Sequence, residues 1–336
     1  MFWLCEPLFN SDCAILKMSS RHSTLLKDVF VVASILSLMV TGILASGGSH
    51  HWGYSGEDDP AHWYNFYDLC NGNKQSPIDI VPSSAKPQNF LPIHLGNYDT
   101  NGKSLTLINN GHTVLLSLPK NYADYRMPFV RDGGLTNQFI FAQVHFHWGA
   151  EGVRGSEHTV DNKHYAAELH FVHYNKKYGS LGNATSHPDG LAVLGVFVEE
   201  SKEDNPALDP ITSVLDHVVH EGNEWVLNDT LSLRDLLPES LSKFYRYMGS
   251  LTTPGCQEIV VWTVFADPIT ASEHQLAEFR QLISEDGDNL VNNYRPPQPL
   301  NGRTVHVRSA SAKDGRFPGR RPLANCCPFG AVVPTK

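Results

Sequence analysis

Three histidines, grouped in two short segments, are the residues of this chain best suited to chemistry. His145 and His147 lie two positions apart, and His170 follows Glu168 by two positions. Because side chains at i and i+2 lie on the same face of a β-strand, His145 and His147 can point into one cavity. The 22 residues between His147 and His170 allow a return strand that presents a third imidazole. Three neutral nitrogen ligands predict a catalytic zinc site, since structural zinc sites are closed by four ligands.

Two neighbouring polar residues support this interpretation. Gln143 lies two positions before His145, and Glu168 lies two positions before His170, so each shares a strand face with its histidine. Metal-bound imidazoles usually donate their second N–H to a carboxylate or carbonyl, which sets the tautomer and the ring orientation. A carboxylate that points inward is costly to bury without such a partner. We therefore predict that Gln143 and Glu168 orient the metal-binding imidazoles.

Further motifs extend from about His51 to Arg308. They are HWGY at 51–54, QSPIDI at 75–80, NNGH at 109–112, GSEHTVD at 155–161, YAAELH at 165–170, LAVLG at 191–195, SLTTP at 250–254 and YRP at 294–296. In these motifs and their order the chain resembles the α-class carbonic anhydrases, most of all the secreted or membrane-associated animal members. The resemblance implies a mainly β fold, with a large, twisted, mixed and mostly antiparallel central sheet of about ten strands and short peripheral helices.

The resemblance also implies an activity, the reversible hydration of CO2 to bicarbonate and a proton by attack of zinc-bound hydroxide. It implies Zn²⁺ as cofactor on the three predicted histidine ligands. Thr252 matches the family residue whose hydroxyl orients the hydroxide and donates to a buried carboxylate, here Glu157. His112 matches the family's proton-shuttle histidine, and an imidazole with a pKa near 6.5 can accept and release a proton at physiological pH.

Two more sets of cavity residues follow from the resemblance. CO2 has no charge and no strong hydrogen-bonding group, so it needs an apolar niche. The residues that match the wall of this niche are Val172, Val193, Leu251, Thr253, Val260 and Trp262. Tyr54 and Asn110 match residues that order the water between the metal and His112. Leu115 replaces the polar residue that is common at its position, which weakens the expectation of a complete water path there.

Two other histidines are predicted to lie outside the metal site. His158 follows Glu157 directly, and we expect it to help hold a buried network. His173 lies three residues after His170, so it faces the other side of the same strand.

The sequence contains many short β-type segments bounded by turn residues, and few helical ones. The strand candidates are residues 104–109, 113–118, 139–148, 166–174, 191–198 and 259–265. The helical candidates are residues 206–219, 233–237 and 272–284, and in the last of these Ser272 and Gln275 form a capping-box pattern. This balance predicts a large sheet with peripheral helices.

The chain divides into three predicted regions. Residues 1–48 form an N-terminal extension with a signal peptide or signal anchor, residues 49–308 the catalytic domain, and residues 309–336 a tail that we expect to be disordered. The apolar segment 29–45 ends at small residues that favour cleavage of a secretory signal. Its 17 residues would also just suffice for a membrane anchor. Met18 is an alternative start that would give the signal a conventional length.

Cysteines and sequons point to export. Cys70 and Cys256 resemble the pair that forms a disulfide in secreted family members, with two buried free thiols as the alternative. Asn183 and Asn228 each begin an N-glycosylation sequon. We therefore expect a secreted protein, or alternatively an anchored one with an extracellular catalytic domain. The sequence leaves the role of the pair 326–327 open.

Charge and motifs exclude several other functions. A net charge of −9 and a pI near 6.0 argue against nucleic acid as a partner, since phosphate binding needs a basic face. The expected partners are CO2, bicarbonate and water, with membrane association if the apolar segment is retained. A non-catalytic binding or adhesion module is disfavoured because all predicted ligands, Thr252 and Glu157 are present. A different zinc hydrolase is disfavoured because the sequence contains no H-E-x-x-H motif.

Overall fold

The computed structural model describes residues 50–99, 105–119, 122, 126–227 and 231–309. The predicted signal or anchor segment 29–45, the alternative start at Met18, the sequon at Asn228 and the tail from residue 310 lie outside these ranges. Within them, no helix is both long enough and apolar enough to cross a membrane.

A mixed sheet of thirteen strands forms the centre of the fold. In chain order the strands of the described residues are β1 (Asp79–Ile80), β2 (Lys86–Pro87), β3 (Ile93–Gly96), β4 (Thr106–Asn109), β5 (Val114–Ser117), β6 (Phe129–Asp132), β7 (Phe139–Trp148), β8 (Thr159–Val160), β9 (Ala167–Asn175), β10 (Leu191–Ser201), β11 (Glu224–Val226), β12 (Phe244–Gly249), β13 (Val260–Phe265), β14 (Ile269–Ser272) and β15 (His306–Arg308). Ten of them follow one path in the order β11-β4-β5-β7-β9-β10-β13-β12-β15-β2. The predicted fold class is confirmed.

The remaining strands extend this path or pair apart from it. β14 pairs with β10, and β6 joins β3 to β7, while β1 and β8 form a separate two-stranded sheet. Most neighbours are antiparallel, but β10 runs parallel to both β13 and β14, and β15 runs parallel to β2. The sheet is therefore mixed, as expected.

All six predicted strands are present, and β7 has the predicted bounds. The sequence reasoning did not find β12, which lies between β13 and β15 toward one end of the sheet path. Its Arg246 makes the segment look like a surface one, yet this arginine is buried and donates to Thr263 Oγ1 from both Nε and Nη2. A buried arginine that bonds to a neighbouring strand thus makes an inner strand resemble a surface segment in sequence.

The helices are short and peripheral. They are α1 (Leu181–Ala184), α2 (Asp209–Thr212) and α3 (Glu273–Phe279), with 3-10 turns at Gly56–Asp58, Trp63–Asn65, Asp68–Asn71, Pro82–Ser84, Lys176–Tyr178 and Leu215–Val218. The predicted helix 206–219 is split into α2 and the last 3-10 turn. The predicted helix 272–284 is α3, with the capping box of Ser272 and Gln275 in place, but it ends at Phe279.

The predicted helix at 233–237 is wrong. This segment forms successive turns, with Asp235 N–H bonded to Ser232 O and Leu237 N–H bonded to Arg234 O. The Arg234 guanidinium donates to the carbonyls of Leu237, Pro238 and Glu239 and so holds the segment folded back on itself. A five-residue helix is marginal by itself, so these side-chain bonds are enough to favour the turns.

The main hydrophobic core lies on the sheet face opposite the three histidines. Phe146 on β7 and Phe171 on β9 belong to this core and alternate in sequence with the histidines. Leu276 and Phe279 of α3 and Ile211 of α2 are part of the same cluster. The helices therefore cover one face of the central strands, while the other face presents the polar residues.

Candidate functional site

Strand register brings the three histidines together. His145 on β7 lies opposite His170 on β9, and His147 lies opposite Glu168. Ligand atoms of the three histidines all lie within 4.8 Å of one another, and His147 Nε2 is 3.1 Å from His170 Nδ1. Two nitrogens on a tetrahedral zinc ion would be about 3.3 Å apart, given Zn–N bonds of about 2.0–2.1 Å.

The other ring nitrogen of each histidine is held by an acceptor. His145 Nδ1 contacts Gln143 Oε1 at 3.0 Å, and His170 Nε2 contacts Glu168 Oε1 at 2.8 Å. His147 Nδ1 contacts the backbone carbonyl of Asn293 at 2.7 Å. Since each acceptor requires a proton on the nitrogen it contacts, the lone pairs remain on His145 Nε2, His147 Nε2 and His170 Nδ1. These three nitrogens can converge on one ion.

The acceptor at Asn293 was missed by the sequence reasoning. A backbone carbonyl has no residue-specific signal in a sequence. The Asn293 side chain also bonds to β7, since its Oδ1 accepts from the Trp148 N–H, 145 positions away. The same side chain donates from Nδ2 to the carbonyls of His112 and Phe146. Asn293 is fully buried and fastens the segment that carries it to β7.

Burial keeps the predicted ligands neutral. It lowers the pKa of His147 to about 3, and the neighbouring His170 adds to this effect. Burial also lowers the pKa of His170, although Glu168 acts against it. A metal ligand must be the neutral imidazole, so the protonation of these rings at pH 7 suits zinc. The donor set therefore fits Zn²⁺.

Glu168 is the centre of a buried hydrogen-bond network. Its Oε1 accepts from His158 Nδ1 at 2.7 Å and from His170 Nε2 at 2.8 Å, and its Oε2 accepts from the backbone N–H groups of Glu157 and His158. Burial alone raises the pKa of Glu168, but His158 and His170 outweigh it and hold the pKa well below its usual value. The carboxylate is thus ionised and fully hydrogen-bonded.

The two histidines that were set apart in the sequence lie outside the triad. His158, Glu168 and His170 are close enough together to hold an ion. However, their contacts of 2.7 and 2.8 Å are direct hydrogen bonds, which leave no room for one. His173 bonds to Tyr98 Oη and to the carbonyl of Ala192 on the core side of the sheet.

Glu157 presents an unpaired oxygen to the triad. Its carboxylate is fully buried, and Oε1 accepts from the backbone N–H of Arg295 at 2.8 Å. Oε2 has no hydrogen-bond partner among the described residues and lies 3.5 Å from His147 Nε2 and 3.7 Å from His170 Nδ1. Burial raises the pKa of Glu157 well above its usual value, while the Arg295 N–H and the Thr252 side chain act to lower it. A buried carboxylate oxygen without a hydrogen-bond partner, beside three imidazole nitrogens that carry free lone pairs, suits a site for a cation and a bound water.

Apolar residues form a row beside the triad. Val172 on β9 lies opposite Val193 on β10, which in turn lies opposite Trp262 on β13. The Trp262 ring is 4.8 Å from the His170 ring, centre to centre. Val260 begins β13 and is buried.

The other two predicted wall residues lie on the loop after β12. Leu251 and Thr253 are half-buried there, on either side of the buried Thr252. Trp262 Nε1 donates to the carbonyl of Ser250 and ties this loop to β13. The loop therefore lies beside the apolar row.

His112 lies in the turn between β4 and β5. Asn110 Oδ1 accepts from the backbone N–H groups of His112 and Thr113, so this oxygen is used to shape the turn. The His112 ring stacks on Trp52 with centroids 3.8 Å apart. Burial, with a contribution from His51, lowers the pKa of His112 to about 4.

The other residues of the predicted water path lie near this turn. Tyr54 is half-buried and packs edge-on against Trp52 and Trp63. Leu115 is buried and lies opposite His145 in the register of β5 and β7. An apolar side chain thus lies next to the strand that carries His145 and His147.

The predicted disulfide between Cys70 and Cys256 is present. The buried Arg295 guanidinium donates to the carbonyls of Cys70 and Ser76 and to Gln75 Oε1. Gln75 Nε2 donates in turn to the carbonyl of Cys256. The bridge and the arginine together fasten the loop that carries Thr252, a role that the sequence reasoning did not assign to Arg295.

Comparison with known proteins places the chain in a family. The model of eukaryotic-type carbonic anhydrases matches residues 58–309. Human carbonic anhydrase 7 is 44% identical over 264 residues, which cover 77% of this chain and 97% of the relative. Mouse carbonic anhydrase 7 is 42% identical over the same length and shares, and bovine carbonic anhydrase 6 is 39% identical over 284 residues, 83% of this chain and 86% of the relative. The chain therefore belongs to the eukaryotic-type carbonic anhydrases, which are enzymes.

Proposed function

We propose that this carbonic anhydrase catalyses the reversible hydration of CO2 with Zn²⁺ bound to His145, His147 and His170. The observation that carries the proposal is the convergence of three ring nitrogens whose opposite nitrogens are all held by acceptors. When bound, zinc supplies a nucleophile near neutral pH by acidifying water, as is established for carbonic anhydrases. The remaining steps depend on the protein's own residues.

Thr252 and Glu157 orient the attacking water. A threonine hydroxyl both donates and accepts, whereas an ionised carboxylate only accepts. Glu157 Oε2 is the acceptor without a partner, and a divalent cation held by the three histidines would favour its ionised form. The Thr252 hydroxyl then donates a hydrogen bond to Glu157, which leaves an oxygen lone pair of Thr252 to accept a hydrogen bond from the nucleophile. This fixes the direction of the remaining lone pair toward the substrate.

The apolar row binds CO2, and His112 carries away the proton. Val172, Val193 and Trp262 give an uncharged substrate a surface beside the metal-binding nitrogens. Val260, Leu251 and Thr253 complete this wall. His112 exchanges the released proton with solvent, and Tyr54 and Asn110 order the intervening water. Hydration yields bicarbonate and one proton, so a route for that proton is required in every cycle.

We further infer that the protein enters the secretory route. The disulfide between Cys70 and Cys256 supports this, because such bridges persist in oxidising compartments. Asn183 is exposed at the surface and is accessible to a glycosyltransferase. N-terminal sequencing of the protein from the culture medium and from the membrane fraction tests cleavage after residue 45. Membrane-bound protein that retains residues 29–45 would instead indicate an anchor.

Zinc content and CO2 hydration, measured together, test the proposed activity. The wild type should hold one equivalent of zinc, and His170→Ala should lose most of both the metal and the activity. His217→Ala is a matched control, because this histidine stacks on Trp225 of β11, the end strand of the sheet path, three strands away from β7. A His170→Ala protein with one equivalent of zinc and near-normal activity would refute the ligand assignment. Zinc without CO2 hydration in the wild type would favour a binding module.

A further inference from the structure

A carboxylate stands between His112 and the solvent. Glu285 Oε2 lies 3.1 Å from His112 Nε2, which makes the two side chains an ion pair when the imidazole is protonated. The His112 side chain is 7% exposed and that of Glu285 is 40% exposed. The accessible end of the pair is therefore the carboxylate, since the imidazole is enclosed against Trp52.

The backbone sets the position of this carboxylate. The Glu285 N–H donates to the carbonyl of Gly111, the residue just before His112, at 3.1 Å. Gly111 has a φ of 85°, and a Cβ at this position would lie 2.9 Å from Glu285 Cβ. Glycine thus lets the two segments meet. On the other side, Asn293 Nδ2 donates to the His112 carbonyl, so both members of the pair are fastened.

Other charged groups surround the pair at longer distances. His51 Nδ1 lies 3.7 Å from Glu285 Oε2, and His51 Nε2 lies 3.0 Å from Asp286 Oδ1. Glu221 and Tyr67 are also near, since the charge of Glu285 adds to the effect of burial in raising the pKa of each. Of these groups, only Glu285 contacts His112 Nε2 directly among the described residues.

The environment of His112 explains why it needs a counter-charge. Burial and His51 disfavour the imidazolium, so the ring by itself is a weak proton acceptor. A carboxylate 3.1 Å away acts in the opposite sense, because it stabilises the protonated ring.

We propose that Glu285 is a proton relay for His112: it stabilises the protonated His112 ring and passes the proton of that ring to the solvent. The released proton binds the neutral ring at Nδ1, the N–H bond at His112 Nε2 breaks, and an O–H bond forms at Glu285 Oε2. This proton then leaves Glu285 to water or buffer, which restores the carboxylate. The ring is left as its Nδ1–H tautomer, and exchange of that proton through water restores Nε2–H. The role rests on the proposed function, in which His112 removes the proton released by CO2 hydration.

Steady-state hydration by Glu285→Gln at several buffer concentrations tests the role. In dilute buffer kcat should fall about tenfold, the effect of removing a unit charge 3.1 Å away in a water-like dielectric. The value of kcat/KM should stay unchanged, and imidazole should restore kcat. Asp286→Asn is the matched control. It removes the same charge from the next residue in the chain, whose carboxylate contacts His51 and not His112. An equal fall in both variants would overturn the proposal in favour of general surface charge.

An NMR titration of the His112 ring gives a second, independent readout. Its pKa should fall by roughly 1 in Glu285→Gln and recover in part in Glu285→Asp. An unchanged His112 pKa together with an unchanged kcat would overturn the proposal. If the wild type does not hydrate CO2, the proposed function fails, whereas the titration still decides whether Glu285 stabilises the His112 imidazolium.

Discussion

Replacing Glu168 with Gln should weaken zinc binding and stability together. Glu168 accepts two bonds from imidazole N–H groups at Oε1 and two from backbone N–H groups at Oε2. A glutamine side chain has one acceptor oxygen and one NH₂ group. In either orientation the NH₂ group must therefore face two donors. If it faces His170 Nε2, the ring is driven toward the tautomer with its proton on Nδ1, the nitrogen predicted to bind the metal.

The size of both effects follows from these contacts. At least two charge-assisted hydrogen bonds are lost, each worth about 1.5–3 kcal/mol, so the free energy of unfolding should fall by about 3–6 kcal/mol. Loss of the partner that orients a metal-binding histidine typically weakens metal affinity by about 10–100-fold. Glu168→Gln favours the His170 tautomer that cannot bind the metal through Nδ1, so we expect its loss of zinc affinity to lie in this range.

Chelator competition measures the zinc Kd, and urea unfolding measures stability. Glu199→Gln is the matched control. Glu199 lies on the exposed end of β10, and its carboxylate bonds to the exposed Lys163. Surface ion pairs contribute about 0–1 kcal/mol to stability. The control variant should therefore lose little stability and bind zinc as tightly as the wild type. A Glu168→Gln protein with wild-type zinc affinity would refute the claim that Glu168 sets the tautomer of His170.

Three further outcomes are expected. Thr252→Ala should lower kcat/KM for CO2 about 10²-fold by removing a preorganised hydrogen bond, and Thr252→Ser should keep most of the activity; equal values for the wild type and the Ala variant would exclude the orienting role. Non-reducing peptide mapping should recover Cys70 and Cys256 in one linked species, and Cys70→Ser should lower the free energy of unfolding by about 5 kcal/mol, the chain-entropy value for residues 186 positions apart. Two free thiols would contradict the bridge. Burial lowers the pKa of His173 to about 4, so between roughly pH 6.5 and 4 the unfolded chain binds more protons, and stability should fall by roughly 3 kcal/mol as the pH drops through this range. Urea unfolding across that range should show a smaller fall for His173→Asn, and an equal fall would show that other groups cause it.

Local pattern was enough to predict the strands that carry the site. The β-type segment 139–148, bounded by turn residues, predicted β7 with its observed bounds, and the period of two of a strand placed His145 and His147 on one face. The capping box of Ser272 and Gln275 was likewise predicted, since it involves residues three positions apart. Such features depend on backbone geometry within one element, so the order of residues in the chain is sufficient to predict them.

Resemblance to a family supplied what local pattern could not. The pairing of Cys70 with Cys256 joins residues 186 positions apart, and nothing in their immediate surroundings specifies it. The failure at 233–237 has the opposite cause: a locally plausible helix is replaced by turns because the Arg234 side chain bonds to later carbonyls.

Strand register and distant backbone groups were decided by the tertiary structure alone. Sequence placed His145 and His147 side by side, but only the pairing of β7 with β9 sets His170 opposite His145. The acceptor for His147 is the carbonyl of Asn293, 146 positions away, and the carboxylate beside His112 comes from Glu285. Every residue has a backbone carbonyl, and surface carboxylates are common, so residue type alone cannot show which of them reaches a given imidazole. That choice is made when the segments pack together.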